Sequence, residues 1–180
     1  FWIYVILSLK KLLISGLLVG ITTNLGHPIT PYYINQINLD KIVFGYFYAT
    51  MSLGMLISAP IWGALGDARG RKWVLIICLI FYGVGQVLFG VLHNAVLIIL
   101  ARFFSGIFCG GILVSLLSYM TRSDNLAKFN GPRLYATFIS LHLVGTSLGS
   151  FIGGAFGELF NPNYHYVFFI QALSMLLFAL

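Results

Sequence analysis

Charge is scarce in this 180-residue chain, and acidic charge is scarcest: ten Lys and Arg stand against four Asp and Glu, and charged residues make up 8% of the total. A soluble domain typically carries about 25%, so the polar surface needed to cover a water-facing fold is missing. The few cations are scattered, which excludes the clustered basic face that nucleic acid requires. Cysteine is nearly absent. Cys78 and Cys109 each lie inside an apolar run, so neither a disulfide framework nor a metal site is expected. Walker loops, His-Glu-x-x-His stretches and catalytic-triad spacings are lacking as well, so no enzyme activity and no cofactor are expected. What is present is apolar. Hydrophobic residues make up 59% of the chain and mean hydropathy is +0.97, which excludes disorder. The composition predicts an all-α integral membrane protein.

A spanning helix needs about 20 apolar residues. Uncharged or nearly uncharged stretches predict spans at about 12–33, 42–65, 73–92, 95–120 and 134–157. A sixth begins at 166–180, too short to cross, so the chain reads as cut off there. Residues 1–9 are apolar and precede Lys10 and Lys11; they read as an N-terminal extension or the edge of a fragment. Barrel strands of about ten residues with alternating polarity do not match such long uniform runs. Loop charge sets the orientation. Lys10, Lys11, Arg69, Arg71, Lys72, Arg122, Lys128 and Arg133 fall in one set of loops, Lys41 alone in the other, and Arg102 inside a span. The positive-inside rule places the first set, and the N-terminus, in the cytoplasm. Trp62, Trp73 and Tyr119 are then expected near the cytoplasmic boundary, and Tyr32, Tyr33, Tyr164 and Tyr166 near the other.

Between the second and third spans runs Gly63-Ala64-Leu65-Gly66-Asp67-Ala68-Arg69-Gly70-Arg71-Lys72. So short a connection needs a tight turn, and Gly70 can supply the positive φ. Asp67 falls at a helix end, where the dipole disfavours an anion; it requires a cation or the start of another helix nearby. An ordinary solvated turn also fits the charges. The pattern resembles the signature loop of the major facilitator superfamily, Gly-x-x-x-Asp-Arg-x-Gly-Arg-Arg. Gly63, Asp67, Gly70 and Arg71 match, Lys72 is a conservative replacement, and Ala68 departs from the usual Arg. The resemblance implies a loop that braces the outward-facing state through Asp67. It also implies an ion pair from the loop to an acid at the end of helix four, for which Asp124 is the nearest candidate.

Arg102 lies about 10 Å inside the fourth span. An intramembrane cation costs about 2.5–3.5 kcal/mol on insertion scales and faces the protein interior, unless it snorkels to the surface. Gly106 and Gly110 share its helical face at i+4 and i+8. With Gly111 they resemble the family's Arg-x-x-x-Gly-x-x-x-Gly motif, which implies a part in proton coupling or in holding the binding cavity. In the fifth span Gly145, Gly149, Gly153 and Gly157 recur every four residues, with Gly154 beside them. Such a smooth face permits close helix packing. Gly145, Gly149, Gly153 and Gly154 also resemble the antiporter motif Gly-x-x-x-Gly-Pro-x-x-Gly-Gly, with Ser150 in the Pro position; that motif implies export.

Span one carries Thr22, Thr23, Asn24, His27 and Thr30 and is interrupted by Pro28 and Pro31. Interrupted polar helices of this kind line transport paths. Asn24 and His27, spaced i, i+3, are expected on one face; His142 and Thr146 are i, i+4 neighbours in span five. These four are candidate substrate-cavity residues, with Gln86 and Gln171 as further buried polar groups. His27 also fits a merely hydrated position near the outer boundary. No acid falls in a span core; Asp40 and Glu158 lie at the outer edge. With the resemblance, the expected fold is the six-helix N-terminal half of a major facilitator, similar to twelve-helix multidrug-type efflux proteins, with the C-terminal six-helix half absent. The expected activity is proton-coupled efflux of small drug-like compounds by alternating access across the cell membrane. Its partners would be a small-molecule substrate, protons and the lipid bilayer. Two alternatives stay open: uptake of a sugar or another metabolite on the same fold, and a non-transporting receptor or structural membrane protein.

Overall fold

The computed structural model describes residues 2–122 and 131–179, which form seven helices. These are α1 (Trp2–Asn24), α2 (Thr30–Gln36), α3 (Ile42–Arg69), α4 (Arg71–Val91), α5 (Ala95–Arg122), α6 (Gly131–Leu159) and α7 (His165–Ala179). Among the described residues, four helices are long and apolar enough to cross a membrane: Ile42–Arg69, Arg71–Val91, Ala95–Met120 and Gly131–Leu159. His165–Ala179 is a shorter apolar helix.

The start of the chain differs from expectation. Residues 2–9 form no separate extension; they are the first turns of α1, because Lys10 and Lys11 are good helix formers and do not interrupt it. The first span is interrupted, as its two prolines imply. Pro28 and Pro31 lack the N–H groups that would bond the carbonyls of Asn24 and His27 four residues back. Those carbonyls accept shorter-range bonds instead, from His27 N–H (3.3 Å) and Thr30 N–H (3.3 Å). α1 therefore stops at Asn24, and α2 restarts at Thr30 with Pro31 in its first turn.

The helices pair closely as α3 with α5 and α1 with α6, and α4 lies between α5 and α7, which also touches α1. Lipid tails are as apolar as Leu, so close backbone approach has to do what hydrophobic burial does in water. Glycines make that approach. Gly145 and Gly149 of α6 sit against the carbonyls of Leu17 and Ile21 of α1, Gly153 against the carbonyl of Leu25 just beyond it, and Gly157 against Ile29. α1 answers with Gly20 against the His142 carbonyl and Gly16 against the Phe138 ring. In the second pair, Gly54 of α3 meets the Phe103 carbonyl, while Gly106 and Gly110 of α5 meet Met51 and Met55. The outer surface stays apolar, with Leu56 73% and Phe151 78% exposed. Helices hydrophobic on every face suit a hydrocarbon solvent.

Two of the aromatics expected near a boundary bond to neighbouring helices. The Trp62 indole N–H donates to the Ile107 carbonyl at 2.7 Å, across the α3–α5 seam. Tyr33 is buried, and its hydroxyl donates to the carbonyls of Gly90 (3.0 Å) and Leu92 (3.3 Å), closing the end of α4. An interior indole or phenol needs such a partner. Trp73 and Tyr119 are exposed.

Candidate functional site: a one-residue joint, a buried arginine and a broken helix

α3 and α4 are joined by Gly70 alone, at φ 97°. A side-chain-bearing residue adopts that region only with strain, so the glycine permits the abrupt turn. The Gly70 N–H donates to the Gly66 carbonyl at 3.1 Å, ending α3. Asp67 sits in the last turn of α3, and its Oδ1 lies 3.3 Å from Arg71 Nη2. The compensating cation thus comes from the loop itself, one turn further on. Asp124, the acid expected to pair with the loop, lies outside the described residues. Lys72 is exposed in the first turn of α4, and Gly63 faces Val114 of α5.

Arg102 does not snorkel; it is 4% exposed. Nη1 donates to Gln86 Oε1 at 3.4 Å and Nη2 to Thr30 Oγ1 at 3.5 Å. The guanidinium carbon is 3.6 Å from the centroid of the Phe89 ring and 5.9 Å from that of Phe168. Among the described residues its partners are therefore an amide, a hydroxyl and two aromatic faces, none of them charged. A desolvated cation–π contact contributes about 2 kcal/mol or more, enough to offset much of the insertion cost. A narrow pocket adjoins the guanidinium, lined by His27, Thr30, Phe47, Tyr48 and Met51. His27 stacks on Tyr48, with ring centroids 5.6 Å apart and Nδ1 3.2 Å from the hydroxyl.

The break between α1 and α2 is repaired by side chains. In its last turn the carbonyls of Thr22 and Thr23 accept from Gln171 Nε2 at 3.0 and 2.8 Å. The Tyr82 hydroxyl donates to Thr23 as well, at 3.2 Å. Thr30, which Arg102 reaches, donates its own hydroxyl to the Gly26 carbonyl at 2.8 Å. Sequence reading marked Gln86 and Gln171 as buried and polar but not as the groups that mend the helix. The usable signal was a glutamine in one span alongside a proline-broken neighbour.

Asn24 and His27 do not share a face, because α1 ends between them. Asn24 turns to α6, where its Nδ2 donates to the Thr146 carbonyl at 2.9 Å and to the Ser150 hydroxyl. His27 turns to α3 and joins the Arg102 pocket. His142 Nδ1 lies 3.2 Å from the Gly16 carbonyl of α1, and the Thr146 hydroxyl donates to Leu143 of its own helix at 2.8 Å. Asn24, His142 and Thr146 thus belong to the α1–α6 seam. Gly106 and Gly110 pack on α3 and do not line the Arg102 pocket. Of the antiporter-like glycines, Gly145 and Gly149 pack on α1 and Gly153 on Leu25 just beyond it, whereas Gly154 faces open space.

A membrane bundle with this joint and this buried arginine has a match in known families: residues 12–180 match the Major Facilitator Superfamily. The chain belongs to that family. It is a multi-pass membrane protein of a transporter family, not an enzyme. Multidrug resistance protein 1 of Bacillus subtilis (strain 168) is 27% identical over 172 residues, covering 96% of this chain and 42% of that protein. Quinolone resistance protein NorA of Staphylococcus aureus is 29% identical over 128 residues, covering 69% of this chain and 33% of that protein. This major facilitator chain thus spans less than half the length of the curated relatives it matches.

Proposed function

We propose that the chain is the N-terminal six-helix half of a proton-coupled exporter of small drug-like compounds working by alternating access. α1 and α2 together make its first span, and the Lys10, Lys11 and α3–α4 end faces the cytoplasm of a cell-membrane protein. The observation that carries the reading is Arg102, a buried cation held by uncharged groups at the end of a pocket. A cation beside a protonatable group lowers that group's pKa. Arg102 therefore suits a site where a proton, carried on a group from the other half, is released as the cavity opens. Similarity to proteins named for multidrug and quinolone resistance supports the substrate class. In this reading the Asp67–Arg71 joint acts as the conformational latch.

Uptake of a sugar or another metabolite is the second reading. It is favoured by Ser150, which replaces the kink-forming Pro and leaves α6 helical from Gly131 to Leu159. The experiment is flux of a fluoroquinolone and a lipophilic dye into inside-out vesicles carrying the full-length protein. Export predicts accumulation when the lumen is acid and loss of accumulation when the gradient is collapsed. Equal flux without the gradient, or transport of sugars alone, rejects it. Cysteines at positions 161 and 128 check orientation: an impermeant reagent on intact cells should reach the first and not the second.

A further inference from the structure

At the end of the bundle that holds the α3–α4 joint, a cavity of about 630 Å³ opens, separate from the Arg102 pocket. Leu12, Leu75, Leu116 and Phe178 give it apolar walls, and Lys11, Arg71 and Lys72 stand on its rim. Among the described residues one lining carboxylate, Asp67, stands against these three cations, and Arg71 engages it. α4 starts on the same rim with no acid in its first turn and no side-chain cap, so the positive end of its dipole points there too. One turn inward from Tyr119 lies Ser115, 4% exposed, whose Oγ has no hydrogen-bond partner. Ser15, Ser58, Ser105, Ser147 and Ser174 each bond back to their own helix, as Ser105 does to Ala101 at 2.8 Å; Ser115 does not. The Nε of Arg71 is likewise buried and unpartnered. Buried unpartnered polar atoms are rare and costly, and two of them here border one cavity.

We propose that this cavity binds an acidic glycerophospholipid. Its phosphate lies on Lys11, Arg71 and Lys72, an ester carbonyl accepts from the Ser115 hydroxyl, and an acyl chain lies against Leu12, Leu75, Leu116 and Phe178. The cations and the α4 terminus select an anion. The volume, within the roughly 300–1,000 Å³ of ligand pockets, and the apolar walls select one with a tail. Exposed Tyr119, which lines the opening, marks the head-group level from which a lipid enters. Bound there, the lipid bridges α1, α3, α4, α5 and α7 and braces the joint from behind. The site is independent of the transport direction proposed above.

The test uses the full-length protein in neutral detergent, titrated with phosphatidylglycerol, phosphatidylcholine or inorganic phosphate. Adducts are read by native mass spectrometry and stability by the thermal unfolding midpoint. Saturable phosphatidylglycerol binding with a raised midpoint is expected, with phosphatidylcholine weaker and inorganic phosphate without effect. Lys11→Gln, on the exposed rim, should weaken phosphatidylglycerol binding about fivefold. Ser115→Ala should weaken both lipids by a smaller, equal factor. Equal protection by inorganic phosphate makes this a simple anion site and overturns the proposal. So do equal binding of the two lipids, and unchanged lipid affinity in both variants. Absence of saturable lipid binding, as expected if another part of the protein fills the cavity, overturns it as well.

Discussion

Arg102 stacks its guanidinium on the face of Phe89, 3.6 Å from the ring centroid, and this aromatic face does the work that a carboxylate does in most buried pairs. Arg102→Ala removes that contact and leaves both ends of the Gln86 amide without a partner, since its Nε2 already lacks one. Each stranded buried polar group costs about 1–3 kcal/mol. Arg102→Lys keeps the charge but loses the planar fork that reaches Gln86 and Thr30 together. In vesicles, at matched membrane abundance, Ala should abolish gradient-driven flux and Lys should retain part of it, with counterflow exchange less affected in both. Full gradient-driven flux in Arg102→Ala would place the coupling elsewhere.

The glycine seam gives a prediction with a built-in contrast. Gly149→Leu or Gly153→Leu pushes a side chain into the carbonyl of Ile21 or Leu25, and overpacking costs about 1–3 kcal/mol. Gly154→Ala meets open space and should stay within about 0.5 kcal/mol of the parent. Monodisperse yield in detergent and the unfolding midpoint separate the two. If Gly149→Leu and Gly153→Leu fold as well as Gly154→Ala, the seam has no packing role.

What the chain reveals of this before folding is one side of each contact. The four-residue repeat of Gly145, Gly149, Gly153 and Gly157 announces a packing face, Arg102 announces an interior, and Gly70 announces a turn, because each follows from local spacing or from the cost of a charge in hydrocarbon. Their partners do not follow. Gly16 and Gly20, the glycines that face α6, keep the same four-residue spacing, but a single pair does not say which helix it meets. Asn24 pairs with residue 150 only once α1 and α6 are known to be neighbours. The carbonyls that Tyr33 and Trp62 bond belong to other helices and follow from no local pattern. The break at Asn24 lies earlier than either proline, since a proline acts on the carbonyl four residues before it.

Ser150→Pro should be milder than a proline in mid-helix usually is, about 3 kcal/mol. The group such a proline strands is the Thr146 carbonyl, four residues back, and Asn24 already donates to it at 2.9 Å. The variant loses the Ser150 hydroxyl bond, yet Thr146 keeps a donor. In Asn24→Leu the same proline should cost its full amount. A double-mutant cycle on the unfolding midpoint measures the coupling, and additive losses would reject the idea.

Gln171→Leu should weaken the mended end of α1, leaving the Thr22 carbonyl short of a donor while Tyr82 still serves Thr23. Tyr82→Phe should cost less, because Gln171 remains on Thr23. Interhelical bonds in membranes contribute about 0.6 kcal/mol on average, so the expected losses are small. Amide hydrogen exchange over residues 22–27 is the sensitive readout: faster exchange in Gln171→Leu than in Tyr82→Phe is expected, and equal exchange would count against the capping role.

Thr30, Gln86 and Phe89, the groups that hold the guanidinium, all precede Arg102 in the chain, whereas the more distant Phe168 follows it. Chains are made and inserted from the N-terminus. Residue 102 therefore leaves the ribosome when its closest companions are already available, and the charged helix can enter a bilayer that has been prepared for it. Moving these companions to a later helix would preserve the finished contacts but expose the arginine to bare lipid during the interval between its arrival and theirs.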